Sequence, residues 1–478
     1  MSGLTRLAVI DTRTVREQFR THVDPFIAEA FQATLPTGEL SKLNNWSRSY
    51  YSVQGHIDSI MKFNKPILPA PTNKEWHNSI SENFALFATF PKVYSLSAKT
   101  DFDKVKYHQG TSAGYGYHLN TQPNPTHKGL PNGPNHSRAK QIASRIVHEC
   151  KEQHSKHKFL DYLETVPDNS TPDIAFTRTQ LAELPEIKVR NVFGECFHYV
   201  ILEGLTAQPL INMFMTIDSF YFIGEDPLTA VPKLINNLST DDRLFLSLDW
   251  SAFDASVQPY EIEHAFDLLR SILVFPDEES DLVFQYVRQL FLRRKIASPD
   301  GFLYMRYGGI PSGSYFTHLI DSIINMTRIK YLLKRIHASY DVLKTHGDDA
   351  LVEITSTHDD LTQLIDEASS LAWHINSDKT LLTMTRNRLI FLGRSSVQGQ
   401  NFRDYDRCLR LLYFTEYPVN HPQISIARLK AIDEDSGFGI PMIPNVYNYL
   451  LTKYGDHSIP LPREFRRFYD VFYGNISI

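Results

Sequence analysis

In the second half of the chain, the order of apolar and polar positions predicts short strands alternating with amphipathic helices. Leu244–Leu248 is a short apolar run that ends at Asp249, which predicts a buried strand with a carboxylate at its end. Apolar residues recur at helical spacing in 261–273, 315–336 and 359–374. Each of these three ranges therefore predicts a helix with one apolar side turned toward a core.

A hairpin and two further strands complete this pattern. The β-prone runs 341–344 and 350–355 flank Gly347-Asp348-Asp349, and a Gly-Asp turn between such runs predicts a hairpin. A strand pair is expected at 380–384 and 389–392. The order strand, helix, helix, hairpin, helix, strand, strand predicts an α+β unit with helices on one face of an antiparallel sheet.

The regions on either side of this unit are less regular. Residues 15–31 have apolar positions near helical spacing and predict a helix, with Pro25 as the site of a kink. Residues 107–136 are rich in Gly, Pro, Asn and Tyr and predict a long loop, a type of segment that often serves function. After residue 400 the chain is predicted to be helical and is rich in basic and aromatic residues.

Composition narrows the class of protein. The 478 residues are 42% hydrophobic and 22% charged, which excludes collagen-like, coiled-coil and wholly disordered chains. Cys150, Cys196 and Cys408 form no CxxC pair, so neither a zinc ribbon nor a disulfide framework is supported. No run of eighteen apolar residues occurs and the N-terminus does not resemble a signal peptide, so we expect no membrane partner. A net charge of −5 argues against a nucleic-acid partner unless the basic residues are concentrated in one channel.

Three acidic residues are expected to converge. Asp249 ends one predicted strand, and Asp348 and Asp349 lie at the tip of the hairpin, so adjacent strands would bring them together. Such carboxylates repel one another unless a cation joins them, and oxygen ligands suit Mg²⁺ or Mn²⁺. Two such ions about 4 Å apart activate an attacking hydroxyl and stabilise a leaving pyrophosphate. The alternative is that Gly-Asp-Asp is only a turn.

Two neighbouring segments carry further polar residues. Asp254 lies five residues after Asp249, past the strand end, where it could contact a substrate hydroxyl or cap the next helix. In 308–317, Ser312, Gly313 and Thr317 come just before a long predicted helix, whose N-terminus would favour an anion or a sugar phosphate. The alternative for this glycine-rich segment is a simple connector.

The three segments together resemble a known family. DWSAFD at 249–254, IPSG followed by a Thr at 310–317 and HGDD at 346–349 resemble motifs A, B and C of viral RNA-dependent RNA polymerases in order and spacing. Their wording resembles the partitiviruses, which are double-stranded RNA viruses of plants, fungi and protists. The compact length resembles the branch with the shortest polymerases, the deltapartitiviruses. Reverse transcriptases have a similar layout but usually carry Ala-Asp-Asp in place of Gly-Asp-Asp.

The resemblance implies roles for these residues. Asp249 and Asp348 would be the principal ligands of two Mg²⁺ or Mn²⁺ ions, with Asp349 in support. The ribose of the NTP would be contacted by a set of residues from motifs A and B: Asp254, Ser312, Gly313, Thr317 and Asn325. Picornavirus-like polymerases carry an Asn nine residues after the motif B Ser, but here that position is Asp321, and Asn325 follows one turn later. Asp321 would repel Asp254 at close range unless one of the two is protonated or points elsewhere.

Four more motifs follow from the resemblance. Lys379 matches the motif D lysine that protonates the leaving pyrophosphate, or is a solvated lysine at a strand edge. Arg394, in 391–394, matches the motif E hairpin that grips the primer strand. Lys188 and Arg190, in 187–190, match the motif F cations that hold the triphosphate, or belong to a charged surface strand. Ser112 and Gly114, in 111–114, match motif G at the template entrance and would bind RNA.

The fold class expected from the resemblance is α+β, a right-hand polymerase with fingers, palm and thumb. The expected boundaries are fingers at 1–190 and 216–242 with an insertion at 280–307, palm at 191–215, 243–279 and 308–400, and thumb at 401–478. Further basic residues are expected where RNA or NTP would pass: 293–295, Arg463, Arg466 and Arg467.

The resemblance also implies a reaction and its setting. The reaction would be template-directed NTP incorporation with template RNA and NTPs as substrates and double-stranded RNA as product. A viral capsid protein would be a partner, and the protein would act in the virion interior and the host cytoplasm. Two alternatives stay open: a reverse transcriptase, and a non-catalytic, capsid-bound RNA organiser.

Overall fold

The computed structural model describes residues 2–10, 21–48, 51–117, 127–186, 188–239, 243–355 and 361–460. Within these ranges the strands are β1 Leu4–Val9, β2 His22–Val23, β3 Trp46–Arg48, β4 Val93–Tyr94, β5 Asp173–Thr179, β6 Leu181–Glu183, β7 Val189–Gly194, β8 Leu244–Leu248, β9 Leu273–Val274, β10 Arg293–Ala297, β11 Phe302–Tyr307, β12 Tyr340–His346, β13 Asp349–Ile354, β14 Leu381–Thr383, β15 Arg394–Val397, β16 Gln400–Arg403 and β17 Phe414–Thr415.

The helices of the same ranges are α1 Pro25–Thr34, α2 Thr37–Leu40, α3 Val53–Met61, α4 Lys74–Phe87, α5 Pro134–Ser155, α6 Phe159–Asn169, α7 Phe197–Phe214, α8 Pro227–Asn237, α9 Phe253–Ser256, α10 Pro259–Ile272, α11 Glu278–Leu292, α12 Thr317–Arg335, α13 Leu361–Ser370, α14 Tyr405–Tyr413, α15 Pro422–Asp435 and α16 Ile443–Tyr454. Short 3-10 turns lie at Ser41–Leu43, Phe102–Lys104 and Arg386–Arg388. None of these helices is long and apolar enough to cross a membrane.

A four-stranded antiparallel sheet in the order β12-β13-β8-β14 forms the centre of the molecule. All five residues of β8 are buried, as the apolar run predicts for a strand covered on both sides. β13 pairs with β8 from Ala350 opposite Leu248 to Ile354 opposite Leu244. This register brings the start of β13 beside the end of β8.

Both faces of this sheet are covered, whereas helices on only one face were expected. Leu246 and Val352 face the main core, to which α7, α10, α11 and α12 contribute. Phe245 and Leu351 face the opposite side, where residues of α8 cover them together with Leu389 and Phe391. The prediction of a strand at 389–392 is therefore wrong. Leu389 and Phe391 of this segment pack against the second face of the sheet. A turn with positive φ at Leu392 and Gly393 precedes the strand that starts at Arg394.

A second sheet of five strands, in the order β1-β11-β10-β5-β7, lies beside the first. Its pairs are antiparallel except β10 with β5. The end of β7 meets the segment before α12, because the Phe193 N–H donates to the Ser312 carbonyl over 2.8 Å. The sheet thus positions β7 directly beside the glycine-rich segment.

The segment after residue 20 packs on the C-terminal helices. Ile27 and Phe31 of α1 share one apolar cluster with residues of α14, α15 and α16. The buried Asp24 accepts the N–H groups of Phe26 and Ile27 and pairs with Arg428 at 2.5 Å. Pro25 is the first residue of α1, so it begins a helix rather than kinking one, in keeping with its missing N–H. The expected helical positions before residue 21 lie outside the described residues.

Candidate active site

Asp249, Asp348 and Asp349 meet at one end of the central sheet. Asp249 follows β8, and its backbone is fixed on both sides: its N–H donates to Thr380 Oγ1 at 3.1 Å, and its carbonyl accepts the Asn376 N–H at 2.8 Å. Gly347 and Asp348 form the two-residue turn between β12 and β13, where His346 pairs with Asp349. Gly347 has φ +63°, a conformation that favours glycine at a tight turn.

Burial and nearby like charges raise the pKa values of two of these acids. Burial and the neighbouring carboxylates of Asp348 and Asp249 raise the pKa of Asp349 to about 7. Burial also raises the pKa of Asp348, with Asp254 as the next contributor. Lys379 Nζ lies 3.6 Å from Asp249 Oδ2 and is 62% exposed, so it offsets the charge only in part. A concentration of negative charge of this kind attracts cations.

The donor set is compatible with magnesium or manganese. Among the described residues, no three His, Cys, Asp or Glu side chains are already close enough to ligate one metal ion. Mg²⁺ usually keeps several waters and binds through one or two carboxylates together with substrate phosphates, so it does not need such a cage. The oxygen-only acids Asp249, Asp348 and Asp349 therefore fit this mode of binding.

Asp254 links three parts of the chain. It accepts a short hydrogen bond from Ser312 Oγ at Oδ2, and Arg190 Nη2 lies 3.4 Å from the same oxygen. Asp254 lies inside the short helix α9 and caps no helix, since α10 has its own capping box at Gln258 and Glu261. The preceding Ala252 has φ +53°, a strained conformation of the kind that concentrates at functional sites.

The segment from Gly308 to Thr317 is closely packed against β7. Gly313 has φ +132°, and a Cβ at this position would stand 2.2 Å from the Phe193 carbonyl oxygen, so only glycine fits. Thr317 Oγ1 donates to the Pro311 carbonyl at 2.7 Å and accepts from the Gly313 N–H at 3.4 Å. Thr317 therefore fixes the shape of this turn, while the Ser312 hydroxyl points at Asp254.

A cavity of about 940 Å³ is lined by Ser312, which donates to Asp254, and by Lys379, which lies beside Asp249. Six of the residues singled out from the sequence line it: Lys188, Arg190, Ser312, Gly313, Thr317 and Lys379. It combines cations from β7 and its approach with hydroxyl groups from the start of α12. Such a lining suits a phosphate-bearing molecule with a sugar.

The profile of the viral RNA-dependent RNA polymerase family matches residues 26–449, most of the chain. The chain belongs to this family. It is 25% identical over 215 residues to the RNA-directed RNA polymerase of White clover cryptic virus 1 (39% of this chain, 35% of that protein). It is 27% identical over 280 residues to the RNA-directed RNA polymerase of Cryptosporidium parvum virus 1 (55% of this chain, 50% of that protein). The alignments thus span about a third to a half of these relatives.

The fold agrees with that assignment. The Sicinivirus 3Dpol RNA-dependent RNA polymerase superposes with a TM-score of 0.67 at 15% identity, covering 97% of this chain and 98% of that one. The polymerase of a human picobirnavirus superposes with a TM-score of 0.65 at 15% identity, covering 92% and 85%. The chain thus has the right-hand polymerase fold, of class α+β.

Two residues expected to contact substrate are instead used inside this polymerase fold. Asn325 is fully buried: its Nδ2 donates to the carbonyls of Gly347 (3.0 Å) and Asp349 (3.2 Å), and its Oδ1 accepts from Trp250 Nε1 at 2.8 Å. Both amide N–H donors of Asn325 are used within the protein, so neither is left to donate to a ribose. Arg394 is 7% exposed, pairs with Asp435 and donates to Asn401 Oδ1 at 3.3 Å. It joins β15 to α15 and is not presented to RNA.

Asp321 stands where picornavirus-like polymerases carry an Asn, and its carboxyl interacts with the charge of Asp254. It is 5% exposed, and burial raises its pKa well above the usual range, with Asp254 and Asp348 adding to the shift. Burial therefore disfavours the charged form of the Asp321 carboxyl. Its Oδ1 has no hydrogen-bond partner in the described part of the polymerase.

Three other residues predicted to contact RNA take part in a buried ion pair, in backbone packing or in a turn. Arg294 is 1% exposed and pairs with Glu195 (2.7 Å) and Asp173 (3.3 Å), so it does not lie in an RNA path. Gly114 has φ +88°, and a Cβ there would stand 2.5 Å from Cys196 Cα, which makes it a packing glycine. Ser112 Oγ accepts the Gly114 N–H at 3.1 Å and shapes the same turn. Ile187 and the basic residues Arg463, Arg466 and Arg467 lie outside the described residues.

Sequence reasoning missed two buried charges that hold the motifs together. Glu203 of α7 accepts Ser314 Oγ and the Tyr315 N–H, both at 2.7 Å, and so anchors the motif B segment. Arg328 of α12 makes a two-pronged pair with Glu261 at 2.7 and 2.8 Å and donates to Ser256 Oγ at 3.0 Å. For Arg328, a charged residue within the helix predicted at 315–336 was the available signal, whereas no helix was predicted around Glu203.

Proposed function

We propose that the chain is the RNA-directed RNA polymerase of a double-stranded RNA virus and carries out genome replication and transcription. One observation carries the proposal: β8 and the β12–β13 turn bring three acids together near a cavity lined by cations and by Ser312, whose hydroxyl donates to Asp254. The reaction is attack of a 3′-hydroxyl on the α-phosphate of an NTP, with release of pyrophosphate. Catalysis then rests on positioning and electrostatics.

Asp249 and Asp348 would hold two divalent cations, Mg²⁺ or Mn²⁺, with Asp349 in support. Family members use divalent metal ions. When bound, these ions would supply activation of the hydroxyl and neutralisation of the phosphates. The chain's own part is to fix the acids: Thr380 and Asn376 hold the Asp249 backbone, and Asn325 holds the Gly347 and Asp349 carbonyls.

Ribose recognition is assigned to Asp254 and Ser312. The two are already hydrogen-bonded, and a ribose 2′-hydroxyl can both donate to a carboxylate and accept from a hydroxyl. Gly313 and Thr317 shape the turn that presents Ser312, and Asn325 becomes a positioning residue rather than a contact. Asp321 lies near Asp254, and burial disfavours the charged form of its carboxyl.

The cations have separate roles. Arg190 and Lys188 face the cavity and would hold the triphosphate, with Arg190 moving from Asp254 to phosphate when NTP arrives. Lys379, 3.6 Å from Asp249, would donate the proton to pyrophosphate. The motif G segment around Ser112 would guide the template. Arg394 is paired with Asp435 and is not proposed to bind RNA.

The lobes are proposed with the boundaries expected from the motifs. Fingers occupy 1–190 and 216–242 with an insertion at 280–307, palm occupies 191–215, 243–279 and 308–400, and thumb occupies 401–478. One amendment follows from the packing: residues 24–34 share their core with the thumb helices and tie the fingers to the thumb.

Within the polymerase family, we propose that the chain is a partitivirus-like enzyme of the short, deltapartitivirus type. The wording of motifs A, B and C and the 478-residue length support it. In that setting, template RNA and NTPs are substrates, double-stranded RNA is the product, and a capsid protein is the partner. The place of action is the virion interior and the host cytoplasm.

The test is an incorporation assay with purified protein, Mg²⁺ or Mn²⁺, and matched RNA and DNA templates. We expect rNTP incorporation on RNA that follows the template's complement and stops when EDTA removes the metal. A preference for dNTPs would instead favour a reverse transcriptase. Absence of incorporation with retained RNA binding would favour a non-catalytic RNA organiser. Either result contradicts the proposal.

A further inference from the structure

The cavity above the acids is closed on one side by the thumb. Arg407, Arg410 and Leu411 of α14 line it opposite Lys188 and Arg190. α14 begins after Asp404, whose Oδ1 accepts the Arg407 N–H at 2.6 Å and fixes the first turn of the helix. A thumb helix therefore presents basic side chains to the same space as the motif F cations.

Most cations lining this cavity already have partners. Arg410 donates to the Lys42 carbonyl at 3.2 Å and stacks on Trp46 at 3.8 Å. Arg48 lies 3.4 Å from Glu416 and donates to the Thr179 carbonyl at 3.2 Å. Both guanidinium groups are therefore structural ties between the fingers segment and the thumb.

Arg407 differs from these neighbours. Its side chain is exposed, and within the described ranges its guanidinium has neither an ion pair nor a hydrogen bond. Two other arginines lie near it: burial is the main cause that lowers the pKa of Arg48 and of Arg403, and the positive charge of Arg407 contributes to both shifts. An uncompensated guanidinium held among other cations is expected to gain strongly from an anion.

We propose that Arg407 is a polyphosphate-binding residue, which captures the triphosphate of an NTP or the departing pyrophosphate in the channel between thumb and fingers. The proposal rests on the proposed polymerase function for the identity of these ligands. A planar guanidinium offers a fork of N–H donors that matches phosphate oxygens, whereas a lysine supplies only a point charge. The nearby Lys188, Arg190 and Lys379 would then receive the phosphates nearer the acids.

The experiment compares Arg407→Ala and Arg407→Lys with Arg145→Ala. Arg145 is an exposed arginine of α5 outside the cavity, so its loss changes the net charge equally. Four constants are measured on the full chain: KM and kcat for NTP at saturating RNA, the inhibition constant of inorganic pyrophosphate, and KM for the template. A fifth, the dissociation constant of a fluorescent NTP analogue in EDTA without RNA, does not depend on catalysis.

We expect Arg407→Ala to weaken NTP-analogue binding about tenfold, the size of one lost charge-assisted contact, with Arg407→Lys intermediate and Arg145→Ala unchanged. A raised NTP KM identifies the incoming triphosphate as the ligand, and a raised pyrophosphate inhibition constant identifies the product. Equal analogue binding together with equal pyrophosphate inhibition constants for Arg407→Ala and Arg145→Ala overturns the proposal, as does a change confined to the template KM, which would assign Arg407 to RNA. Wild-type protein that binds the analogue but incorporates nothing would refute the polymerase function and leave the Arg407 site standing.

Discussion

Asn325 lies where the end of β8 and the β12–β13 turn meet, and it uses both of its amide N–H donors there. Its amide reaches the Gly347 and Asp349 carbonyls on one side and the Trp250 indole on the other. Removing the side chain would leave a buried indole N–H and two carbonyls without partners. The cost of such orphaned groups is larger than the net gain of the bonds themselves.

Asn325→Ala is therefore expected to lower the free energy of unfolding by about 3 kcal/mol, because each buried group left unpaired costs about 1–3 kcal/mol. Chemical denaturation measures the change. The control is Asn387→Ala, at an exposed asparagine. A fully stable Asn325→Ala protein that has lost only its preference for rNTPs would contradict the assignment and restore Asn325 to the ribose site.

Asp254 gives the complementary prediction at the substrate. Asp254→Asn keeps the size of the side chain but removes the charged acceptor that faces Ser312 and Arg190. We expect the ratio of kcat/KM for rNTP over dNTP to fall about tenfold, the size of one hydrogen bond to a charged group. Competition between an rNTP and the dNTP with the same base measures this ratio. An unchanged ratio would show that Asp254 does not recognise the ribose.

Individual residues were predictable where chemistry needs a rare type at a fixed place. Asp249, Asp348 and Asp349 follow from strand ends and a turn, and Gly313 follows from the need for a positive φ. Arg394 could not be assigned correctly, because a basic residue after a turn gives no sign that Asp435 lies across from it. Burial of a charge is decided by residues distant in sequence.

Among the elements, the motif B segment depends most on a neighbour outside it. Glu203 on α7 accepts two hydrogen bonds at one oxygen, from Ser314 and Tyr315. It is 1% exposed and lies 3.8 Å from Arg294, which is itself held by Asp173 and Glu195. This buried network fixes the segment that carries Ser312 and Gly313.

Glu203→Ala is expected to lower kcat/KM for NTP about tenfold, because one charge-assisted acceptor of the segment is lost. Glu203→Gln retains a carbonyl acceptor and should recover most of this loss. Steady-state kinetics of both variants separates the cases. If the Gln variant is as impaired as the Ala variant, the negative charge itself matters and the positioning role is wrong.

The predicted elements succeeded where the apolar pattern and the local turn agreed. β8 was predicted with its bounds, and β12, β13 and α12 within a few residues, because each has a regular period ended by Gly, Asp or a polar residue. The prediction of a strand at 389–392 was wrong because apolar residues can pack against the face of a sheet as well as form one of its strands. Periodicity alone does not separate these two uses.

At the scale of the whole molecule, the N-terminal segment connects parts distant in sequence. Asp24 pairs with Arg428 at 2.5 Å and accepts from Ser425 Oγ at 2.8 Å, and α1 packs against α16. Asp24 is fully buried, so its loss would leave Arg428 without its ion-pair partner.

Asp24→Ala is expected to destabilise this contact by about 3–5 kcal/mol, the cost of breaking a buried ion pair. We expect faster limited proteolysis in the chain on either side of α1, because α1 would separate more often from the thumb helices. Asp366→Ala, at an exposed aspartate of α13, is the control. Identical digestion patterns for the two variants would refute the role of Asp24 as a tie.

The overall charge of −5 proved to be a poor guide, because charge acts locally. Acids concentrate at the end of β8 and the β12–β13 turn, and cations line the cavity that adjoins them. Lys188, Arg190 and Lys379 were singled out from the sequence, but only the fold shows that Arg407 also faces the cavity and that Arg294 is buried in ion pairs.

The most direct test of the central claim is template-directed NTP incorporation by wild type and by Asp348→Asn, with equal folding of the two proteins verified by circular dichroism. We predict that the variant loses incorporation by at least about 1,000-fold while still binding RNA, because an electrostatic role of this kind is large. Incorporation retained within a few fold by a folded Asp348→Asn protein would contradict the account.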